Sequence, residues 1–154
     1  MFRLQTCLQA SALGLIVAIN LFGGCSPSSP SSTLNLTGTW SGTLGPPMSG
    51  TSLRLVWTAT QNGLAVSGPV TVSKPNEIPE FPGTLSGTLS GLSSFLSFTV
   101  PAGSVPGFAT CAITGNGSVT AAATTISGNL NVTYSSCTGF VQSSGSQLLS
   151  LTKS

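Results

Sequence analysis

From residue 35 onward, apolar or glycine residues alternate with Ser, Thr or Asn along most of the chain. A period of two residues is typical of β-strands that bury one face, because successive side chains of a strand point to opposite sides. No segment of this region combines a helical period with helix start and stop signals. The pattern therefore predicts an all-β fold of about eight strands, with inward residues at every second position of 36–44, 53–57, 64–72, 83–89, 96–100, 111–119, 126–134 and 149–151.

Turn signals separate these predicted strands. Asn62-Gly63 is a strong hairpin signal, 45–47 and 101–107 are Pro/Gly loops, and 73–82 is a longer loop. Short strands with turns between neighbours indicate an antiparallel meander, which is either a closed up-and-down barrel or a two-layer sandwich.

A three-residue unit of apolar residue, Ser or Thr, and Gly recurs within the predicted strands, and its glycines share the inward parity. Glycine weakens a strand interior, so its repetition indicates strong coiling or close contacts of the kind that barrel closure requires. We therefore favour the closed barrel over the sandwich. The units begin at residues 36, 40, 66, 85, 89, 113 and 126.

The first 25 residues have the composition of an export signal. Arg3 precedes an apolar run over 12–22 that is too short to span a bilayer as a helix, and Gly23, Gly24 and Cys25 follow it. The order of apolar run, small residues and cysteine resembles the lipobox of bacterial lipoproteins. The resemblance implies cleavage before Cys25, a lipid on its thiol and acylation of the new amino terminus. The alternative is an ordinary secretory signal that is cut nearby.

The resemblance also bears on location and domain organisation. Ser26 stands where the Gram-negative sorting rule of this family has Asp for retention at the inner membrane, so we expect an outer-membrane anchor in the bacterial cell envelope. The Ser/Pro-rich residues 26–33 read as a tether. We thus divide the chain into a signal peptide (1–24), a lipidated cysteine with its tether (25–33) and a β-barrel-like domain (34–154).

Two short segments of the barrel region resemble lipocalin-like and avidin-like eight-stranded barrels. Gly38-Thr39-Trp40 is similar to the Gly-x-Trp of their first strand, and Leu151-Thr152-Lys153 is similar to their last strand. The resemblance implies that Trp40 closes the lower end of the barrel beneath Lys153. It does not imply biotin binding, because the aromatic ligand cage of avidins is missing.

The charge inventory excludes most chemistry. The sequence has four Lys or Arg, two Asp or Glu and no His, while 40% of its residues are hydrophobic, which argues against disorder. Acid–base pairs and metal clusters lack their parts, and there is no basic run for nucleic acid. We expect a protein that is not an enzyme and has no metal, no cofactor and no nucleic-acid partner.

Two further groups of residues are candidates for structural or binding roles. Cys111 and Cys137 form an even pair in an exported domain, which predicts one disulfide; two buried thiols are the alternative. Lys74, Glu77 and Glu80 beside Phe81 are a candidate recognition loop, and a solvated connector is the alternative.

Three functions fit this sequence. The first is a non-catalytic structural or interaction protein of the envelope that contacts another protein or a polysaccharide. The second is a lipocalin-like barrel for a small apolar ligand, since Tyr134 and the two indole nitrogens are the only polar groups at the predicted inward positions. The third reverses the faces and gives a transmembrane β-barrel.

Overall fold

The structure is a computed structural model, and it describes residues 34–45, 52–74, 80–137 and 144–154. Each strand pairs antiparallel with the next, and β8 pairs with β1, which closes the sheet into a barrel. The predicted all-β class, the strand count and the closed up-and-down barrel are therefore confirmed. The strands are β1 (Gly38–Gly45), β2 (Leu53–Asn62), β3 (Ala65–Ser73), β4 (Phe81–Ser90), β5 (Ser93–Val100), β6 (Ala112–Ala121), β7 (Thr125–Ser135) and β8 (Gly145–Lys153).

The two ends of the barrel differ in their connections. At one end, which we call the hairpin end, short turns at 63–64, 91–92 and 122–124 join the strands, and the segment 34–37 leads into β1. Gly63 and Gly91 have φ of +62° and +63°, which the two-residue turns require. The opposite end, which we call the loop end, carries the longer connections 46–52, 74–80, 101–111 and 136–144.

The interior is one hydrophobic cluster built from every second residue of the strands. Burial explains the alternation along the sequence. The residues between the inward positions face solvent and are mostly Ser, Thr and Asn. One row of outward residues runs from strand to strand across β2 to β8. Its members, each paired with the next, are Thr60, Ser67, Ser86, Ser97, Asn116, Asn131 and Ser146.

Inward glycines mark the places where neighbouring strands approach most closely. A Cβ atom at Gly42 would collide with the carbonyl oxygen of Ser150, and one at Gly68 would collide with that of Thr58. Gly115 is covered instead by the aromatic ring of Phe98. These glycines therefore do not leave empty space inside the barrel, because backbone or a larger side chain already occupies it.

The prediction that Leu64 points inward is wrong. Its side chain is 67% exposed, because Gly63 and Leu64 form the two-residue turn and β3 begins only at Ala65. The inward positions of β3 start at Val66. This follows from the alternation, because Leu64 belongs to the turn and not to the strand.

The predicted loop 73–82 is also too long. Ser73 ends β3, and Phe81 begins β4 opposite Val72, with its side chain buried in the core. Pro82 falls within the predicted loop, yet it lies at the start of β4, ahead of the first pair with β5 at Thr84. A proline is tolerated at the beginning of a strand, and Pro82 comes before the pairing with β5 begins, although it already lies opposite Thr71 of β3.

We predict that Gly68→Ala destabilises the protein by about 1–3 kcal/mol, since the new methyl group must displace the backbone of β2. The matched control is Ser67→Ala, which changes the neighbouring outward residue and is expected to shift the free energy of unfolding by less than about 0.5 kcal/mol. Urea unfolding of both variants measures the difference. Equal effects would show that Gly68 is not at a close contact.

Candidate functional site

The hairpin end is closed by the segment that precedes β1. Leu36 is fully buried, and its carbonyl oxygen accepts a hydrogen bond from Trp40 Nε1 at 2.8 Å. Gln61 holds the same segment from the side: its Oε1 accepts from the backbone N–H of Leu36 at 2.7 Å, and its Nε2 donates to the carbonyl of Leu34 at 2.9 Å. Leu36 thus lies across this end as an apolar plug whose backbone groups are satisfied.

Lys153 lies over this plug. Residues Trp40 and Lys153 are direct partners in the β1–β8 ladder, and the Nζ of Lys153 is 5.4 Å from the centroid of the Trp40 ring. The same Nζ donates to the carbonyl of Asn35 at 3.2 Å. Gly38 has a φ of +137°, and a Cβ there would come within 2.9 Å of Lys153 Cε, so this glycine makes room for the lysine. The structure therefore brings together the two residues that the lipocalin-like and avidin-like resemblance implied, in a cation–π contact.

The loop end is tied by a disulfide between Cys111 and Cys137, whose Cα atoms are 4.4 Å apart. The predicted pairing is confirmed. The bond joins the residue before β6 to the segment after β7, where Thr110 Oγ1 also donates to the carbonyl of Ser136 at 3.2 Å. Closing a loop of this length stabilises the fold by roughly 3.5 kcal/mol in the chain-entropy model.

A polar pair, Tyr134 and Gln147, lies near the ends of β7 and β8 that face the loop end. The hydroxyl of Tyr134 donates to Oε1 of Gln147 at 3.3 Å, and Gln147 is only 2% exposed. Burial raises the pKa of the Tyr134 phenol above its ordinary value of 10.0. The expectation that Tyr134 and the indoles are the only inward polar groups is wrong, since Gln147 and Ser94 are also buried.

The sequence contained the signal for these two residues. Gln147 has the same parity as Leu149 and Leu151, and Ser94 has the same parity as Leu96 and Phe98. Extending each predicted strand by one step of the alternation would have placed both of them inside the barrel.

The candidate recognition loop is only partly assembled. The Nζ of Lys74 is 5.8 Å from the ring centroid of Phe108, which belongs to a different connection of the loop end. Glu80 is exposed, whereas Phe81 is buried in the core and does not belong to an exposed binding surface. Glu77 and the predicted lipid-attachment residue Cys25 lie outside the described residues.

Two polar atoms in the interior stand apart from these networks. Among the described residues, Nε1 of Trp57 and Oγ of Ser94 are buried without a hydrogen-bond partner. A buried polar group without a partner costs about 1–3 kcal/mol, so each is a point where a hydrogen-bonding group of a small ligand would be stabilised inside the barrel.

No group of three or more His, Cys, Asp or Glu within the described ranges is arranged to hold a metal ion. The described part of the chain contains no helix that is long and apolar enough to cross a membrane. Comparisons with protein-family models, with curated proteins and with solved structures found no match. The candidate sites are thus the plugged hairpin end, the disulfide-tied loop end and the two unpaired atoms inside.

The pH dependence of stability follows from Tyr134, which is the sole tyrosine of the sequence. Because the pKa of its phenol is raised in the folded state, the native protein binds this proton more tightly than the unfolded chain does. The neutral phenol of Tyr134 makes its full contribution to the free energy of unfolding below about pH 10. This contribution is lost as the pH rises through the pKa that the phenol has in the native protein.

We predict that the ultraviolet absorption of tyrosinate appears at higher pH in the native protein than in urea. The variant Tyr134→Phe is the control, and its free energy of unfolding should fall less steeply above about pH 10. Coincident titration curves for the native and the unfolded protein would contradict the buried position of this phenol.

Proposed function

We propose that this protein is a lipid-anchored, non-catalytic component of the bacterial cell envelope, held at the outer membrane through Cys25. Its barrel serves as an interaction module that contacts another envelope protein or a polysaccharide. The anchor is inferred from the lipobox-like order of Gly23, Gly24 and Cys25. Attachment by more than one acyl chain is the condition for stable anchoring.

The observation that carries the interaction role is the wall of the barrel. The row from Thr60 to Ser146 presents only hydroxyl and amide groups across seven strands, and each of these groups both donates and accepts hydrogen bonds. A neutral wall of this kind suits polar, hydrated contacts with the hydroxyl groups of a polysaccharide or with the backbone of another protein.

A packed interior supports the same proposal. The largest fully buried side chains include Trp40, Trp57 and Phe98, and the inward glycines are covered by neighbouring backbone or side chains. An eight-stranded barrel is just wide enough to be filled by its own side chains. Such an interior favours a role for the outer surface of the barrel.

The unpaired Nε1 of Trp57 and Oγ of Ser94 favour a second candidate, a barrel that holds a small, largely apolar ligand. The ligand would need at least one acceptor for the indole N–H, because the lining around it is apolar. This candidate differs from the first in one respect that can be measured, which is whether the indole N–H of Trp57 changes its environment when such a ligand is added.

The third possibility, a transmembrane barrel, is not supported by the direction of the side chains. A lipid-facing barrel needs apolar residues on its outer wall. In the described strands the large apolar residues are inside, apart from Phe95 and Leu148, and Ser, Thr and Asn occupy most of the outer positions.

The anchor is tested by labelling the producing bacterium with radioactive palmitate. We predict that the protein takes up the label, that Cys25→Ala abolishes it, and that the matched variant Cys7→Ala retains it, since residue 7 lies in the segment expected to be removed. The Cys25→Ala protein should also leave the outer-membrane fraction. Equal labelling of the two variants would refute the anchor at Cys25.

A further inference from the structure

Large apolar side chains are exposed at the hairpin end of the barrel. Leu64 is 67% exposed, Leu92 is 70% exposed and Phe95 is 52% exposed. Elsewhere in the described structure, Leu148 on the wall of β8, at 41%, is the one other exposed large apolar side chain. We call Leu64, Leu92 and Phe95 the apolar tip. Exposed apolar side chains gathered at one end of an otherwise hydroxylated protein mark an interaction surface.

The exposure of the two leucines is fixed by the backbone. Each is the second residue of a two-residue hairpin, and its carbonyl oxygen accepts a hydrogen bond from a further strand of the barrel. The N–H of Leu89 donates to Leu64 at 2.8 Å, and the N–H of Ala121 donates to Leu92 at 2.9 Å. Each hairpin is thereby tied to the rigid barrel, so its leucine stays at the outermost point of the turn.

Phe95 extends the apolar tip along the outer wall. It lies on β5 between Thr88 of β4 and Ser118 of β6, three residues beyond Leu92. At about 3.3 Å per strand residue, its ring lies within roughly 10 Å of the turn. That distance matches the depth of about 5–10 Å to which apolar groups of peripheral proteins enter a lipid interface.

The chain that leads to the predicted anchor enters the barrel beside the apolar tip. Nε2 of Gln61 donates to the carbonyl of Leu34 at 2.9 Å and to the carbonyl of Gly63 at 3.0 Å. The first described residue is therefore one side chain away from the hairpin that carries Leu64. Between Leu34 and Cys25 there are the eight residues 26–33, which reach at most about 28 Å when fully extended.

The charged side chains of the described residues also differ between the two ends of the barrel. Lys153 is the charged side chain at the hairpin end, where its Nζ contacts the carbonyl of Asn35. Arg54, Lys74 and Glu80 lie at or near the strand ends that face the loop end. No described carboxylate side chain lies beside the apolar tip, so its approach to lipid does not require the dehydration of one.

We propose that the apolar tip is a membrane-docking surface that inserts into the lipid interface of the membrane carrying the anchor. The barrel then stands on its hairpin end, and the loop end with the Cys111–Cys137 disulfide faces away from the lipid. This inference rests on the proposed function, because the anchor at Cys25 is the reason for choosing lipid as the occupant, while the exposure of the apolar tip is independent of the anchor. The chain between Leu34 and Cys25 is short, so a lipid anchor on Cys25 keeps the hairpin end near the membrane. For this reason we infer that lipid, and not a second copy of the chain, covers the apolar tip.

The test measures which end of the barrel is close to lipid. The full chain is produced with its lipid and carries a single introduced cysteine, either Ala123→Cys at the hairpin end or Ala102→Cys at the loop end; both alanines are exposed. The native cysteines of the barrel are joined to each other, so the introduced thiol takes a fluorescent label. The proteins are placed in vesicles of three parts phosphatidylethanolamine to one part phosphatidylglycerol, with a lipid that is spin-labelled near its carbonyl group.

We expect several-fold stronger quenching of the label at position 123 than of the label at position 102. The double variant Leu64→Ser/Leu92→Ser should weaken docking about tenfold or more and reduce the quenching at 123, because two apolar side chains no longer leave water. The matched control is Leu148→Ser, which removes an exposed leucine from the wall and should leave the quenching unchanged.

The possible failures are distinguishable. Equal quenching at 123 and 102, or no response to the leucine substitutions, in protein that carries palmitate on Cys25 overturns the docking surface and leaves the anchor intact. Preferential quenching at 123 in protein without palmitate supports the docking surface and overturns the anchor. A change of fluorescence at 123 that depends on protein concentration, in vesicles without spin label, shows that a second copy covers the tip and overturns the proposal.

Discussion

The fold depends on the close approach of neighbouring backbones at the inward glycines. At Gly42, Gly68 and Gly117 the space of a side chain is taken by a carbonyl oxygen of the adjacent strand. Strands that coil this strongly bring β8 back to β1, so that the sheet has no free edge. A sheet without edges does not need charged residues to prevent edge-to-edge association. That is how a chain with only 4% charged residues can present a neutral wall of Ser, Thr and Asn.

Closure also determines where specific contacts can occur. The wall is regular and the interior is apolar, so the distinctive residues are at the two ends. The hairpin end combines the Leu36 plug, Gln61 and the Trp40–Lys153 contact with an exposed apolar tip. The loop end combines the disulfide with the Tyr134–Gln147 pair. In our proposals the first end faces the membrane and the second end faces away from it, so partners would meet the wall and the loop end.

Much of this architecture was predictable because each prediction rested on a strong local rule. The alternation indicated the strands, the repeated glycines indicated closure, and the pair of exported cysteines indicated the disulfide. The errors arose where two rules compete. Leu64 fits the apolar alternation, but a two-residue turn takes it out of the strand. Pro82 fits a loop, but it is tolerated at the beginning of β4.

The candidate sites were less predictable, because they depend on contacts between residues distant in sequence. Gln61 reaches back to Leu34 and Leu36, and Lys74 reaches forward to Phe108, and no periodic pattern encodes such pairs. The apolar tip is a further case: Leu64 and Leu92 are at the same end only because the meander brings alternate turns together. A pattern along the chain gives the face of a residue, whereas the topology gives its neighbours.

Closure of the barrel along the β1–β8 seam can be tested by native-state hydrogen exchange. Ser41 and Thr43 of β1 oppose Thr152 and Ser150 of β8 across this seam. We predict that these amides exchange as slowly as those of Thr84 and Thr99, which pair between β4 and β5 away from the seam, and that they do so through global unfolding. Fast exchange along the seam, with β4 and β5 still protected, would contradict closure and indicate an open sheet with two edges.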